Sequence, residues 1–90
     1  MSMKYRSRTD IVCQILQTAN GGTTKTRIMY GAYLSYAQLK EYLGTLIENG
    51  LVEFESESNT YRTSPKGLRF IQMYEKIELL SQSTPNTGQS

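Results

Sequence analysis

Between Leu39 and Phe54 the apolar pattern changes period, and only Asn49-Gly50 separates the two regimes. Upstream, Leu39, Tyr42, Leu43, Leu46 and Ile47 recur at three- and four-residue intervals, one stripe of a helix from about Tyr36 to Glu48. Downstream, Val52 and Phe54 alternate with Glu53 and Glu55, the pattern of a half-buried strand. Ser56-Glu57-Ser58-Asn59 then supplies a turn, and Thr60-Tyr61-Arg62-Thr63 the returning strand. Two strands this short do not stand alone in water, so the hairpin must lean on helices.

The rest of the chain supplies those helices. Ile11, Val12, Ile15, Leu16 and Ala19 form one stripe, with Ser7 as N-cap, Asp10 at the capping-box position and Asn20-Gly21-Gly22 as the stop. Cys13 is expected off that stripe, as a partly exposed thiol without function. Thr23-Thr24 opens a short second helix with Ile28, Met29 and Ala32 on its apolar side, and Thr23 can add a stub of extended chain. Ser35 caps the third helix, with Leu34 before it as a hydrophobic staple. Ser64 and Pro65 start a fourth helix reaching about Leu80. There Leu68, Ile71 and Tyr74 are expected to face the domain, while Phe70, Met73, Ile77 and Leu80 make a short heptad seam. Residues 1–6 read as a flexible basic arm carrying Lys4 and Arg6. Residues 7–80 read as the folded domain, and residues 81–90, all polar or small, as a disordered tail.

Composition narrows the function classes. Leu, Ile, Val and Phe number 19 of 90, enough for one thin core. A chain this size gains from a partner subunit, and the Phe70–Leu80 seam is expected to be a dimer interface. There is no histidine and one cysteine, so the commonest general base, an intrachain disulfide and a multi-cysteine metal site are all excluded. No nucleophile–base pair or phosphate loop is present, so neither catalysis nor a cofactor or metal is expected. No apolar run approaches a membrane span, and the N-terminus lacks a secretory pattern.

Helix, helix, turn, helix and hairpin in that order is a helix-turn-helix followed by a wing, an α+β, mainly helical architecture. Ile28, Ala32, Leu34, Leu39 and Tyr42 fit the offsets at which the two crossing helices must touch. Such turns often carry glycine where this chain has Tyr33. A left-handed backbone would strain a tyrosine, so a turn of another type stays open.

The stretch Lys25-Thr26-Arg27-Ile28-Met29-Tyr30-Gly31-Ala32-Tyr33-Leu34-Ser35-Tyr36 resembles the signature of the small archaeal winged-helix DNA-binding proteins. That family includes the Sulfolobus chromatin-type proteins and short transcription regulators. Tyr61-Arg62-Thr63-Ser64-Pro65-Lys66-Gly67 is similar to its second wing strand and the start of its last helix. The resemblance implies a winged helix that dimerises through its C-terminal helix. It also implies double-stranded DNA as ligand and a cytoplasmic, nucleoid-associated setting.

On that reading the third helix enters the major groove. Tyr36 and Gln38 would read base edges, beside Ser35 at the helix start. Lys25, Thr26 and Arg27 at the start of the second helix, with Lys40 and Arg62, would meet phosphates. Residues 1–40 hold six basic groups against Asp10 alone, whereas residues 41–60 hold five glutamates and no base. The acidic wing, Glu53, Glu55 and Glu57, is expected to stand off from DNA. It also supports an alternative, an interaction adaptor that uses the wing to capture a protein.

Overall fold

The element order expected from the sequence is the order found. The structure, a computed structural model, describes the backbone of residues 6–88 and side chains as far as residue 80. It contains α1 (Arg8–Ala19), α2 (Lys25–Gly31), α3 (Tyr36–Glu48), β1 (Val52–Glu55), β2 (Thr60–Thr63) and α4 (Pro65–Gly88). The strands pair antiparallel in the register Val52 with Thr63 and Glu55 with Thr60. Thr23 adds a short bridge to the hairpin, exchanging backbone hydrogen bonds with Tyr61 at 2.8 and 2.9 Å.

Capping explains where the helices begin. Ser7 Oγ accepts from the Asp10 amide, and the Asp10 carboxylate accepts from the Ser7 amide, each at 3.0 Å. Thr24 caps α2 and Ser35 caps α3. At the far end of α1 the last carbonyls lack helical partners. Thr63 Oγ1 satisfies one of them, donating to Leu16 O at 2.6 Å from a buried position. Ser64 Oγ donates to Gly50 O at 2.6 Å and accepts from the Gly67 amide at 3.1 Å. Lys66 Nζ donates to Asn49 O at 2.9 Å. The wing base is thereby tied to the ends of both α1 and α3.

Ile15, Leu16 and Ala19 of α1 meet Ile28, Ala32 and Leu34 around α2, Leu39, Leu43 and Leu46 of α3, Val52 and Ile71 in one core. Several expectations need correction. Cys13 is not partly exposed but 2% accessible, because α4 packs on that side of α1 and gives the helix a second buried face. Burial pushes its thiol pKa up, reinforced by Glu75, Asp10 and Glu78. Phe54 does not point into the core and is 44% exposed. The hairpin leaves the domain above Val52, so Phe54 packs on Tyr61 across the strand instead, with ring centres 4.8 Å apart. Leu68 is at the margin rather than inside, since the line of α4 against the domain runs through Gly67, Ile71 and Tyr74.

Two boundaries also differ. Arg6, expected in a free arm, is anchored to the domain by three hydrogen bonds described below. Lys4 lies outside the described residues. The helix expected to stop near Leu80 continues to Gly88. Residues 81–84 include no glycine or proline, so their polar composition alone does not end the helix there, whereas its passage through Pro85 has no local explanation.

The contact of α4 with α1 has a pH signature. The Tyr74 hydroxyl donates to Asp10 Oδ1 and lies 3.3 Å from Glu78 Oε2. The Tyr74 bond, then the Ser7 amide, holds the Asp10 carboxyl below its ordinary 3.8. Accepting carboxylates beside it push the Tyr74 hydroxyl well above its ordinary 10.0. A lowered carboxyl contributes stability above its unfolded value, lost as pH falls through the folded one. A raised phenol contributes below its unfolded value, lost as pH rises through the folded one. The pair should therefore contribute fully between about pH 4 and pH 10. Tyr74→Phe is expected to lower the melting temperature by about 2–4 °C at pH 7 and to raise the Asp10 pKa, measured by carboxyl NMR titration.

Candidate nucleic-acid interface

The turn between α2 and α3 sets the direction of α3. After Gly31 the Tyr33 amide donates to Tyr30 O at 3.3 Å and the Leu34 amide to Met29 O at 3.0 Å. These are the paired bonds of a Schellman ending, which needs a left-handed residue between them. That residue is Tyr33, at φ +56°. The turn is therefore the left-handed form, and the other turn types left open by the sequence do not occur. The end of α3 repeats the motif with glycine in place. There Gly50, at φ +75°, donates to Ile47 O at 3.0 Å and Leu51 to Leu46 O at 2.8 Å.

Arg6 closes over this turn. Its guanidinium donates to Ala32 O at 2.7 Å, Tyr33 O at 3.1 Å and Gln14 Oε1 at 2.6 Å. The sequence offered no signal for this, because the partners lie 26 and 27 residues away and two of them are backbone carbonyls.

On α3, Leu39, Leu43 and Leu46 are buried, which turns Tyr36, Ala37, Lys40, Glu41, Gly44 and Thr45 outward into solvent. Gly44 has open space where a side chain would stand. Ser35 and Gln38 are exposed but already engaged. Ser35 Oγ accepts from the Gln38 amide at 3.2 Å, and Gln38 Oε1 accepts from the Ser35 amide at 3.0 Å. This capping box spends the acceptor of the side chain expected to read bases and leaves its NH₂ free to donate. Ser-x-x-Gln before an apolar run is a capping-box pattern, so the signal was present at Ser35 and Gln38.

Lys25 and Tyr36 are brought together across the turn, with Lys25 Nζ 5.4 Å from the ring centre. Arg27 and Thr26 are exposed on the first turn of α2. Arg27 shares a shallow cleft with Thr18, Thr23 and Tyr30. Arg62 stands apart on β2, in register with Glu53. Three tyrosines, Tyr30, Tyr33 and Tyr36, are exposed around the turn, of which only Tyr36 was expected at the site.

A family model described as winged helix-turn-helix matches residues 5–82. The chain belongs to the winged helix-turn-helix family. An uncharacterized protein of Methanocaldococcus jannaschii is 31% identical over 77 residues, covering 84% of this chain and 78% of that one. The crystal structure of Sso10a-2, a DNA-binding protein from Sulfolobus solfataricus, superposes with a TM-score of 0.81 at 22% identity. That match covers 92% of this chain and 90% of the other. The resemblance to small archaeal winged-helix proteins thus holds at the level of both sequence family and fold. In this winged helix, α4 carries Met73, Ile77 and Leu80 exposed and Phe70 half-buried. Phe70, Met73, Tyr74 and Ile77 line a groove that Ser7, Thr9, Asp10 and Glu78 edge. Among the described residues no helix is long and apolar enough to cross a membrane.

Proposed function

We propose that this winged helix binds double-stranded DNA as a homodimer and acts as a transcriptional regulator. The observation that carries the reading is the two-sidedness of α3. Its leucines are committed to the core, and its opposite face is exposed and small at Ala37 and Gly44. Lys25, Arg27 and Lys40 surround its leading half. A helix with that profile can approach a groove closely while cations meet the flanking phosphates.

In this mechanism Lys25, Arg27, Lys40 and Arg62 neutralise phosphates. Tyr36 meets a thymine methyl or a phosphate, and the Gln38 NH₂ donates to a base acceptor. Thr26 and Ser35 donate to the backbone at the two helix starts. The seam of Phe70, Met73, Ile77 and Leu80 pairs with that of a second copy and sets the distance between half-sites. The modest net charge of +2 favours a regulator over a chromatin coat, whose affinity rests mainly on phosphate neutralisation. A Sulfolobus DNA-binding protein of the same fold supports DNA as the ligand.

The test is a fluorescence-anisotropy titration of a random duplex of about 30 base pairs at about 50 and 200 mM salt. Binding should fall steeply with salt. Arg27→Ala and Lys40→Ala should each weaken it several-fold and reduce the salt slope by about one. Absence of binding at low salt would remove the duplex reading. Attention would then turn to the exposed Glu53, Glu55 and Glu57 of the wing as a protein-capturing surface.

A further inference from the structure

Tyr33 occupies a position that the chain elsewhere gives to glycine. The two Schellman endings have the same hydrogen bonds, but only one has a residue suited to positive φ. A left-handed tyrosine costs on the order of a glycine's whole advantage, and a bulky residue persists there only where its surroundings hold it. Arg6 does the holding, through the carbonyls of Ala32 and Tyr33 itself. What the strain provides is not burial. Tyr33 is 76% exposed, more than Tyr30 or Tyr36, so its side chain contributes little to the core.

Tyr33 stands two residues before the cap of α3, whose first residue, Tyr36, has the Lys25 ammonium over its ring. When the second helix of a helix-turn-helix lies in a groove, the helix before it crosses the bordering sugar–phosphate backbone, and the turn carrying Tyr33 joins the two. We propose that Tyr33 is a DNA-contact residue whose phenol hydroxyl donates to a backbone phosphate, and that Arg6 is the positioning residue that keeps it there. The proposal rests on the duplex reading above and assigns to it a neutral contact outside the basic set.

Two variants separate contact from strain. Tyr33→Gly removes the ring and relaxes the turn, so its melting temperature should rise by about 4 °C while duplex affinity falls roughly fivefold. Tyr33→Phe keeps ring and strain, so its melting temperature should match the parent while affinity falls by a similar factor. Because a phenol releases no counterion, neither variant should change the salt slope, whereas Lys40→Ala should. Native affinity in Tyr33→Phe overturns the proposal, as does a melting temperature lowered in Tyr33→Gly. If the parent chain binds no duplex, the duplex reading falls and this proposal with it. If the parent binds and Lys40→Ala weakens it but Tyr33→Phe does not, the proposal alone falls.

Discussion

Gly67→Ala is expected to lower the melting temperature by about 5–15 °C, although alanine is the better helix former. Gly67 lies in the first turn of α4, buried against the base of the wing. A β-carbon there would collide with Leu51 O and stand 2.6 Å from Thr63 Cγ2. Neither obstacle can swing aside. Leu51 O is held by the Ser64 amide at 3.0 Å, and Thr63 is held by its bond to Leu16 O. Helix propensity favours alanine by about 1 kcal/mol, but forcing an extra carbon into packed backbone costs about 1–3 kcal/mol and more where backbone must move. The collision therefore decides the sign. Gly44→Ala is the control, since its side-chain position is open, and it should raise stability by about 1 kcal/mol. Thermal melts followed by circular dichroism check both.

The second large effect belongs to Leu39→Ala. Leu39 is fully buried on α3, one turn after the Ser35 cap, in the core that α3 shares with residues of α1 and α2. Truncating a leucine in such a site costs about 2–5 kcal/mol. A domain of this size has about 5–13 kcal/mol in all, so the variant should lose roughly a third to a half of its stability. Urea denaturation should show a lower midpoint with an unchanged slope. Because Leu39 holds the helix that carries Tyr36 and Lys40, duplex affinity should fall too, although Leu39 touches no DNA. Restoring volume with Leu39→Met should recover most of both.

Local rules made most of this fold legible. Ser7 with Asp10, Ser35, Ser64-Pro65 and Asn49-Gly50 each marked a boundary, because capping and helix stopping depend on neighbours within four residues. The two wing strands and their turn followed from alternation in Val52–Glu55 and the polar run of residues 56–59. What escaped was non-local. The burial of Cys13 depends on α4 arriving from some 60 residues away, which no stripe on α1 encodes. Phe54 alternates correctly, yet the hairpin rises beyond the core, and alternation does not say how far the core extends. At the candidate interface, Lys25, Arg27, Tyr36 and Lys40 could be placed by helix phase alone. Arg6 could not, since its partners are carbonyls in a turn far along the chain. Tyr33 is a visible misfit in the sequence, but its backbone angle is not legible there, because the bonds of the turn outweigh the residue's own preference.

Cys13 also decides how the molecule can be labelled. It is the one cysteine of the chain, 2% accessible, with its thiol pKa raised. Reagents that need an exposed thiolate should pass it by while the protein is folded. A single cysteine introduced at Gln72, on the solvent side of α4, would then carry a spin label or fluorophore without removal of the native thiol. Label-to-label distances across the proposed dimer would be read on an otherwise unaltered core. Any slow reaction at Cys13 itself would time the opening of α4 from α1.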